Sequence, residues 1–287
     1  MNDTTLASDG DHKDAIGRTE RLSAVISPEK VDALAATLDL DTATASIDTL
    51  PPGWHWMFFN PFVRRSSLGV DGHPKRGGFL PNVSLPRRMW AGGRLTYRAP
   101  LPIGVLATRE STILDVSSKD GRSGRLVFVK VGHRISYDGT LAIEEEQDIV
   151  YREAQAGPMA PPKPNTAPDG AAWSEEVVPD TVLLFRYSAL TANGHRIHYD
   201  RPYAIEEEGY PDLLVHGPLI ATFLQGFAGR CHPDAPLHTF AFRGMSPLFC
   251  SNPFRIEARA GEAGGLALWA RGPHGELAMQ ADATFAA

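Results

Sequence analysis

One short segment of the chain, 186–204 (RYSALTANGHRIHYDRPYA), concentrates side chains that can move protons and form hydrogen bonds. His195 and His198 lie three residues apart, and imidazole changes its charge near neutral pH. Asn193 can donate and accept hydrogen bonds but has no titratable proton. Asp200 can orient an imidazole or cap a turn. The segment therefore favours general acid–base chemistry, with the two histidines as the candidate proton-handling groups.

An apolar helix is predicted directly after this segment. The run HGPLIATFLQGFAGR has Gly217 at its start, Pro218 in its first turn and Gly229 near its end, a favourable arrangement for a helix. Its apolar residues cover most of the circumference, so we expect a sheet to wrap around it. A curved antiparallel sheet around one buried helix is the outline of a hot-dog fold. His216 is predicted to pack beside the site rather than to react.

The composition describes an ordinary globular protein. Of the 287 residues, 43% are hydrophobic and 22% are charged, which is a typical balance. The formal net charge of −6 argues against nucleic-acid binding. No apolar run approaches the roughly 20 residues that span a bilayer, and the polar N-terminus lacks the apolar segment of a secretion signal. Cys231 and Cys250 have no metal-ligand spacing. We expect a cytoplasmic protein with no metal and no other cofactor.

Two stretches of the chain share one β-rich pattern. From Leu95 to Tyr151, apolar strands alternate with turns such as YDG, and the C-terminal part from Arg243 repeats this order. The sequence predicts an α+β protein with two copies of one unit, whose antiparallel sheets pair side by side. The predicted divisions are a flexible N-terminus (1–15), an N-terminal hot-dog-like domain (16–152), a Pro/Ala-rich linker (153–172) and a C-terminal catalytic domain (173–287).

The segment 186–204 resembles the motif of MaoC-type and (R)-specific acyl-thioester hydratases and dehydratases, S/T-G-D-x-N-P-x-H-x5-A/S. Thr191, His198 and Ala204 stand at its Ser/Thr, His and Ala/Ser positions. Asn193 and His195 depart from the pattern, because they replace its Asp and Asn. The motif is specific enough to indicate the family.

Two stretches of the sequence are similar to those of one branch of that family. SALTANGHRIHYD, together with GGFLPNVSLPRRMWAGG at 77–93, resembles mitochondrial-type 3-hydroxyacyl-thioester dehydratases and mesaconyl-C4-CoA (3-methylfumaryl-CoA) hydratases. The similarity runs from about Ile16 to the end of the chain. It implies a double hot-dog fold whose second copy wraps the central helix and supplies the catalytic groups, while the first copy shapes the acyl tunnel.

The resemblance implies a hydro-lyase that reversibly hydrates an α,β-unsaturated acyl-CoA, with conversion of mesaconyl-C4-CoA to citramalyl-CoA as the first choice. Hydration of itaconyl-CoA and dehydration of 3-hydroxyacyl chains on CoA or acyl carrier protein are alternatives within this class. A thioesterase and a non-catalytic acyl-thioester binding module are alternatives outside it. His198 would be the acid–base residue, alone or helped by His195 or Asp200. Asn193 would orient water, and the N–H of Gly217 would bind the thioester oxygen at the positive end of the helix.

Basic and aromatic residues form a second candidate region. The long segment 51–93 is rich in Gly and Pro, so we expect no long regular element there, and loops of this length tend to be functional. Arginine forks match the phosphates of CoA, and an arginine next to His198 could hold a substrate carboxylate. The residues expected to bind substrate are His195, Arg196, Arg201, Arg87, Arg88 and Trp90. An acyl-CoA is the expected partner, and exposed sheet edges suggest a homodimer.

Overall fold

The structure is a computed structural model of the chain and describes residues 12–40, 47–121, 124–153 and 165–286. Within these ranges the chain forms ten strands and three α-helices. The first half contains β1 (Thr19–Val25), α1 (Pro28–Thr37), β2 (Arg87–Tyr97), β3 (Leu106–Gly121), β4 (Gly124–Tyr137) and β5 (Thr140–Arg152). The second half contains β6 (Trp173–Val177), α2 (Thr181–Leu190), α3 (Gly217–Cys231), β7 (Leu237–Gly244), β8 (Phe254–Ala260), β9 (Leu266–Arg271) and β10 (Leu277–Phe285).

The strands form one antiparallel sheet in which both halves have the same internal order. The sheet runs β1-β3-β4-β5-β2 through the first half and β7-β10-β9-β8-β6 through the second, so the halves meet where β2 pairs with β7. When the strands of each half are numbered along the chain and read from the outer edge of the sheet toward the junction, both halves follow the order first, third, fourth, fifth, second. The predicted repeat is visible in this order, and the two predicted sheets are halves of one continuous sheet.

Glycine permits the close junction between the halves. Gly92 of β2 pairs with Arg243 of β7, and a Cβ atom on Gly92 would lie 2.4 Å from the carbonyl oxygen of Phe242. The register of β2 also shifts between Trp90 and Gly92, which bends a strand locally. A larger side chain at position 92 would force β2 and β7 apart.

The predicted apolar helix is confirmed as α3, with Pro218 in its first turn. α3 packs against β7, β8, β9 and β10, and Leu219 and Leu224 are fully buried on it. Burial of each such side chain stabilises the fold by about 1.5–3 kcal/mol. The buried Gln225 accepts a hydrogen bond from the hydroxyl group of Tyr97 on β2. The helix is therefore held by its own half and connected to the first.

The predicted divisions of the chain differ from the structure at two places. Residues 1–11 and 154–164 lie outside the described residues, but Lys13–Ala15 forms a 3-10 turn and Ala15 is fully buried. In the C-terminal part of the predicted linker, Ala167 is buried beside Trp269. Packed chain therefore extends into both the predicted flexible N-terminus and the predicted linker, because each contributes apolar side chains to a core. The division into two domains stays a proposal.

The expectation for the segment 51–93 is wrong at its end. Short 3-10 turns at Trp54–Met57 and Arg65–Ser67 interrupt it, as the Gly and Pro content predicts. Its last residues, however, begin the eleven-residue strand β2, because they pair with β5. Arg87, Arg88 and Trp90 therefore lie on a strand and not in a loop.

No helix in the described part of the chain combines the length and the apolar character needed to span a bilayer.

Candidate active site

The segment with the two histidines folds into a series of tight turns between α2 and α3. α2 ends at Leu190, and the hydroxyl of Thr191 donates to the carbonyl oxygen of Tyr187, 2.7 Å away. The side-chain oxygen of Asn193 accepts a hydrogen bond from the backbone N–H of His195 at 3.0 Å, as short polar residues do in turns. A 3-10 turn, Arg196–His198, follows. Asn193 thus shapes the turn, and its amide NH₂ group is the part able to donate elsewhere.

His198 is held in a single orientation. Its Nδ1 lies 2.9 Å from the carbonyl oxygen of Leu214, and because a carbonyl can only accept, Nδ1 carries the proton. Neutral His198 therefore has its lone pair on Nε2. The side chain is buried, and burial lowers its pKa to about 4, although the hydrogen bond to Leu214 opposes this effect. At neutral pH, His198 is a base with one defined accepting atom.

His216 brings His198 to the N-terminus of α3. The two rings stack with centroids 3.7 Å apart and planes 18° apart, and His216 immediately precedes Gly217. His216 is fully buried and hydrogen-bonded to the hydroxyl of Ser188 on α2 at 2.8 Å. Burial holds its pKa well below the usual value, so two neutral rings stack without repulsion. The predicted packing role of His216 agrees with these contacts.

Gly217 presents an open helix N-terminus. As the first residue of α3, its N–H has no acceptor within the helix, and the helix dipole places partial positive charge there. A Cβ atom on Gly217 would meet no described atom within 4 Å. The side of Gly217 where a side chain would stand is therefore open, and the use of its N–H together with His198 stays a prediction.

The contacts of Asp200 are those of a residue that caps a turn. Its carboxylate accepts hydrogen bonds from Arg196 at 2.9 Å and from the backbone N–H of Tyr203 at 3.3 Å. Arg196 also lies over the ring of Tyr203, 4.0 Å from its centroid. These contacts give Asp200 the turn-capping role rather than that of a helper to His198.

The arginines expected to bind substrate have different surroundings. Arg196 is paired with Asp200 at 2.7 Å, and Arg201 is paired with Asp212 at 2.6 Å. Neither therefore offers an unpaired charge to a carboxylate.

The three expected ligands on β2 also differ from one another. Arg87 donates to the backbone oxygen of Glu208 at 3.0 Å, which connects β2 to the second half. Trp90 packs on Trp56, with centroids 5.0 Å apart. Arg88 faces Tyr151 across β2 and β5, and no described carboxylate lies within ion-pair distance of it. Of the three, Arg88 keeps a charge that a ligand could use.

Asp71 and His73 reach the site from the first half, and sequence reasoning missed them. The carboxylate of Asp71 lies 3.0 Å from Nδ1 of His73 and also accepts the backbone N–H of His73. The rings of His73 and His195 are 4.2 Å apart between centroids, and those of His195 and His198 are 5.5 Å apart. The spacing D-x-H in a Gly-rich segment was the only sequence signal for this pair.

The same side chains include a possible metal-ligand set. Asp71, His73 and His195 each have one donor atom within 4.8 Å of those of the other two. The sequence analysis expects no metal and does not predict this arrangement. Burial lowers the pKa of His195 to about 2, and repulsion from His73 and His198 acts in the same direction. His195 is therefore neutral at neutral pH.

Two glycines bring the loop of His73 against the turns between α2 and α3. The backbone N–H of Arg196 donates to the carbonyl oxygen of Asp71 at 2.9 Å. A Cβ atom on Gly72 would lie 1.8 Å from the carbonyl oxygen of Gly194. Close backbone approach, rather than side-chain packing, therefore positions His73 beside His195.

A second polar cluster lies inside the first half. Glu145 on β5 is buried and accepts hydrogen bonds from Nε2 of His55 at 3.1 Å and from Nε1 of Trp56 at 2.9 Å. These residues line a cavity of about 270 Å³. Asn60, on the same cavity, donates to the carbonyl oxygens of Trp56 and of Thr191. This region of the first half thus supports the start of the turns between α2 and α3.

Comparison with known proteins gives consistent similarities. Residues 53–250 match the family described as hydroxyacyl-thioester dehydratase type 2. The chain is 49% identical over 267 residues to the mesaconyl-C(4)-CoA hydratase of Chloroflexus aurantiacus, covering 93% of this chain and 95% of that protein. It is 29% identical to the mitochondrial hydroxyacyl-thioester dehydratase type 2 of Schizosaccharomyces pombe, covering 82% of this chain and 88% of the relative.

A solved structure shares the architecture. A Mycobacterium tuberculosis protein described as having a double hot-dog fold superposes with a TM-score of 0.60 at 11% identity, covering 93% of this chain and 95% of that chain. These similarities confirm the resemblance and the double hot-dog fold expected from the sequence.

Proposed function

The chain belongs to the hydroxyacyl-thioester dehydratase type 2 family, and from this premise we propose that it reversibly hydrates mesaconyl-C4-CoA (3-methylfumaryl-CoA) to citramalyl-CoA. It is a hydro-lyase, as expected from the sequence. One observation carries the mechanism: His198 has a fixed tautomer, with Nε2 as its accepting atom, beside the N-terminus of α3. The choice of acyl group is supported by the relative of Chloroflexus aurantiacus.

The proposed reaction uses three groups of the second half. Neutral His198 takes a proton from water as the water oxygen attacks Cβ. The amide NH₂ of Asn193 donates to that water and orients it. The N–H of Gly217 donates to the thioester oxygen as negative charge develops there, which is worth about 2.7–4 kcal/mol for one such donor in a closed site.

The carboxylate of the proposed substrate limits where it can bind. It is attached to Cβ, the atom that water attacks, so its partners must lie close to His198. Arg196 and Arg201 are already paired. The guanidinium of Arg88 has no ion pair with a described carboxylate, is hydrogen-bonded to Tyr151 and lies near enough to His73 and His195 to lower their pKa values. We assign the substrate carboxylate to Arg88, with His195 beside the acyl group.

The proposal also includes the assembly and the compartment. β1 and β6 lie at the two ends of the sheet, and an exposed edge strand can pair with a second copy, which supports a homodimer. Cys231 and Cys250 are free thiols, which suits the reducing cytoplasm.

A panel of thioesters tests the substrate. Mesaconyl-C4-, itaconyl- and crotonyl-CoA are each incubated with the protein, and both enoyl absorbance and free thiol are followed. We expect the highest kcat/KM for mesaconyl-C4-CoA, with loss of absorbance and no thiol. Faster turnover of itaconyl-CoA would make the acyl group wrong. Thiol release with the double bond retained would indicate a thioesterase, and no turnover at all would indicate a binding module.

The close approach of the two loops predicts a specific loss of activity. We expect Gly72→Ala to lower kcat/KM for hydration about 10²-fold, because the new methyl group would displace the loop and its histidine by the order of 1 Å. Gly77→Ala is the matched control: both glycines have positive φ, 85° and 98°, but a Cβ on Gly77 meets no described atom within 4 Å. Steady-state kinetics should show less than about a twofold change for the control. Equal losses in the two variants would mean that backbone strain, not the contact with Gly194, matters.

A further inference from the structure

The motif of this chain lacks one titratable group that the family motif has. In hydration, a proton leaves the water that attacks Cβ and a proton reaches Cα, and one or two side chains can carry these protons. His198 serves the oxygen. The position where the family motif has Asp is Asn193 here, and an amide cannot give or take a proton at neutral pH. A separate proton donor for Cα would therefore be a side chain outside the motif.

We propose that His73, oriented by Asp71, is this second acid–base residue, and that the first half of the protein therefore contributes directly to catalysis. This inference rests on the proposed hydratase function. The hydrogen bond from Nδ1 of His73 to Asp71, 3.0 Å long, leaves Nε2 of the neutral ring as its free atom. A carboxylate behind an imidazole fixes its tautomer and stabilises the imidazolium.

The position of His73 matches the role. The rings of His73 and His198 both contact that of His195, with centroids 4.2 and 5.5 Å from it. In the proposal, an acyl group bound beside His195 has its Cβ toward His198 and its Cα toward His73. The loop cannot easily withdraw, because Arg196 is hydrogen-bonded to the backbone of Asp71.

The proton balance is complete with these groups. In hydration, the water oxygen bonds to Cβ and its proton passes to Nε2 of His198. The π electrons form the enolate, and protonated His73 gives its proton to Cα as the C–H bond forms. Transfer of one proton from His198 to His73 through solvent restores both residues, so the net change is addition of one water.

Asp71 and His73 affect the pKa values of each other. Burial lowers the pKa of His73, and Asp71 raises it in part. Burial raises the pKa of Asp71, but the hydrogen bonds and charge of His73 outweigh it, so Asp71 stays ionised. The charged or titratable groups that act on His73 are Asp71, His195, His198, Arg76 and Arg88. Without the charge of Asp71, the pKa of His73 falls further.

Kinetics of His73→Gln and Asp71→Asn test the proposal. We expect His73→Gln to lower kcat for mesaconyl-C4-CoA about 10²- to 10⁴-fold, with KM changed less than about threefold and a circular dichroism spectrum like that of the parent. The exposed His274 provides the control His274→Gln, with unchanged kinetics. Asp71→Asn should also lower kcat with KM changed less than about threefold, because Asp71 orients the ring of His73, and Asp71→Glu should restore part of the rate.

A double variant distinguishes shared chemistry from mere structure. Asn193→Asp places a carboxylate at the motif position and keeps an oxygen for the N–H of His195. Added to His73→Gln, it should recover at least about tenfold in kcat; no recovery overturns the proposal.

A loss confined to KM for mesaconyl-C4-CoA, with crotonyl-CoA turned over normally, would make His73 a carboxylate anchor. Loss of activity on EDTA dialysis with return on adding Zn²⁺ would make the trio of Asp71, His73 and His195 a metal site.

Failure of this inference is separable from failure of the proposed function. If the parent protein hydrates mesaconyl-C4-CoA and His73→Gln does so equally well, only the role of His73 is wrong. If the parent hydrates none of the thioesters in the panel, the proposed function is wrong.

Discussion

His198→Gln is expected to lower kcat for hydration by about 10²- to 10⁴-fold, the usual contribution of a general base. Glutamine has no atom that takes up a proton at neutral pH, while its amide can still donate toward the oxygen of Leu214. Because the proposed role of His198 is to act on the attacking water rather than to bind the thioester, KM should change much less than kcat. The measurement is steady-state hydration of mesaconyl-C4-CoA.

His238→Gln is the matched control. His238 makes the same kind of bond, from Nδ1 to the carbonyl oxygen of Tyr97 at 3.2 Å, but on β7. Its variant should keep the parental rate. In the parent, kcat/KM should rise with pH through about 4, the pKa to which burial lowers His198, because the base must be neutral. Retention of this limb and of the rate in His198→Gln would remove His198 from the mechanism.

Sequence reasoning finds candidate residues in the second half of the protein and misses those in the first. His198, Asn193 and Gly217 lie within one continuous stretch, so the motif and the helix-start pattern identify them as candidates. His73 lies more than a hundred residues earlier, and only the docking of one loop against Gly194 brings it to His195. No local pattern encodes that approach. The pairing of Arg201 with Asp212 is equally a result of the folded loop.

The fold shows the same division between local and long-range information. The strands of each half and the helix α3 follow from periodicity and helix-start residues. The repeat predicts that the two sheets pair side by side, but not which strands join them. The junction is formed by β2, which pairs with both β5 and β7, and Gly92 permits this close approach. The pairing also turns Arg87, Arg88 and Trp90 into strand residues, although their segment reads as a loop.

Glu145→Ala is expected to lower the free energy of unfolding by about 3–5 kcal/mol, the usual effect of removing one partner of a buried charged cluster. His55, Trp56 and Gln147 all donate to this carboxylate, at distances of 3.1, 2.9 and 2.9 Å. Burial alone would raise the pKa of Glu145, but His55 and the other donors lower it to about 2. The charge is therefore stabilised by its neighbours, and its removal leaves their buried donors without an acceptor.

The adjacent Glu146→Ala supplies the comparison, since Glu146 points to the opposite face of β5. Glu146 pairs with Arg94 at 2.9 Å, and both side chains are at least 40% exposed, so its loss should cost no more than about 1 kcal/mol. Denaturant unfolding of both variants measures the difference. Asn60 donates hydrogen bonds to the carbonyl oxygens of both Trp56 and Thr191. Glu145→Ala should therefore also loosen the turns between α2 and α3 and lower kcat. Equal unfolding free energies for the two variants would show that the interior cluster of the first half does not stabilise the protein.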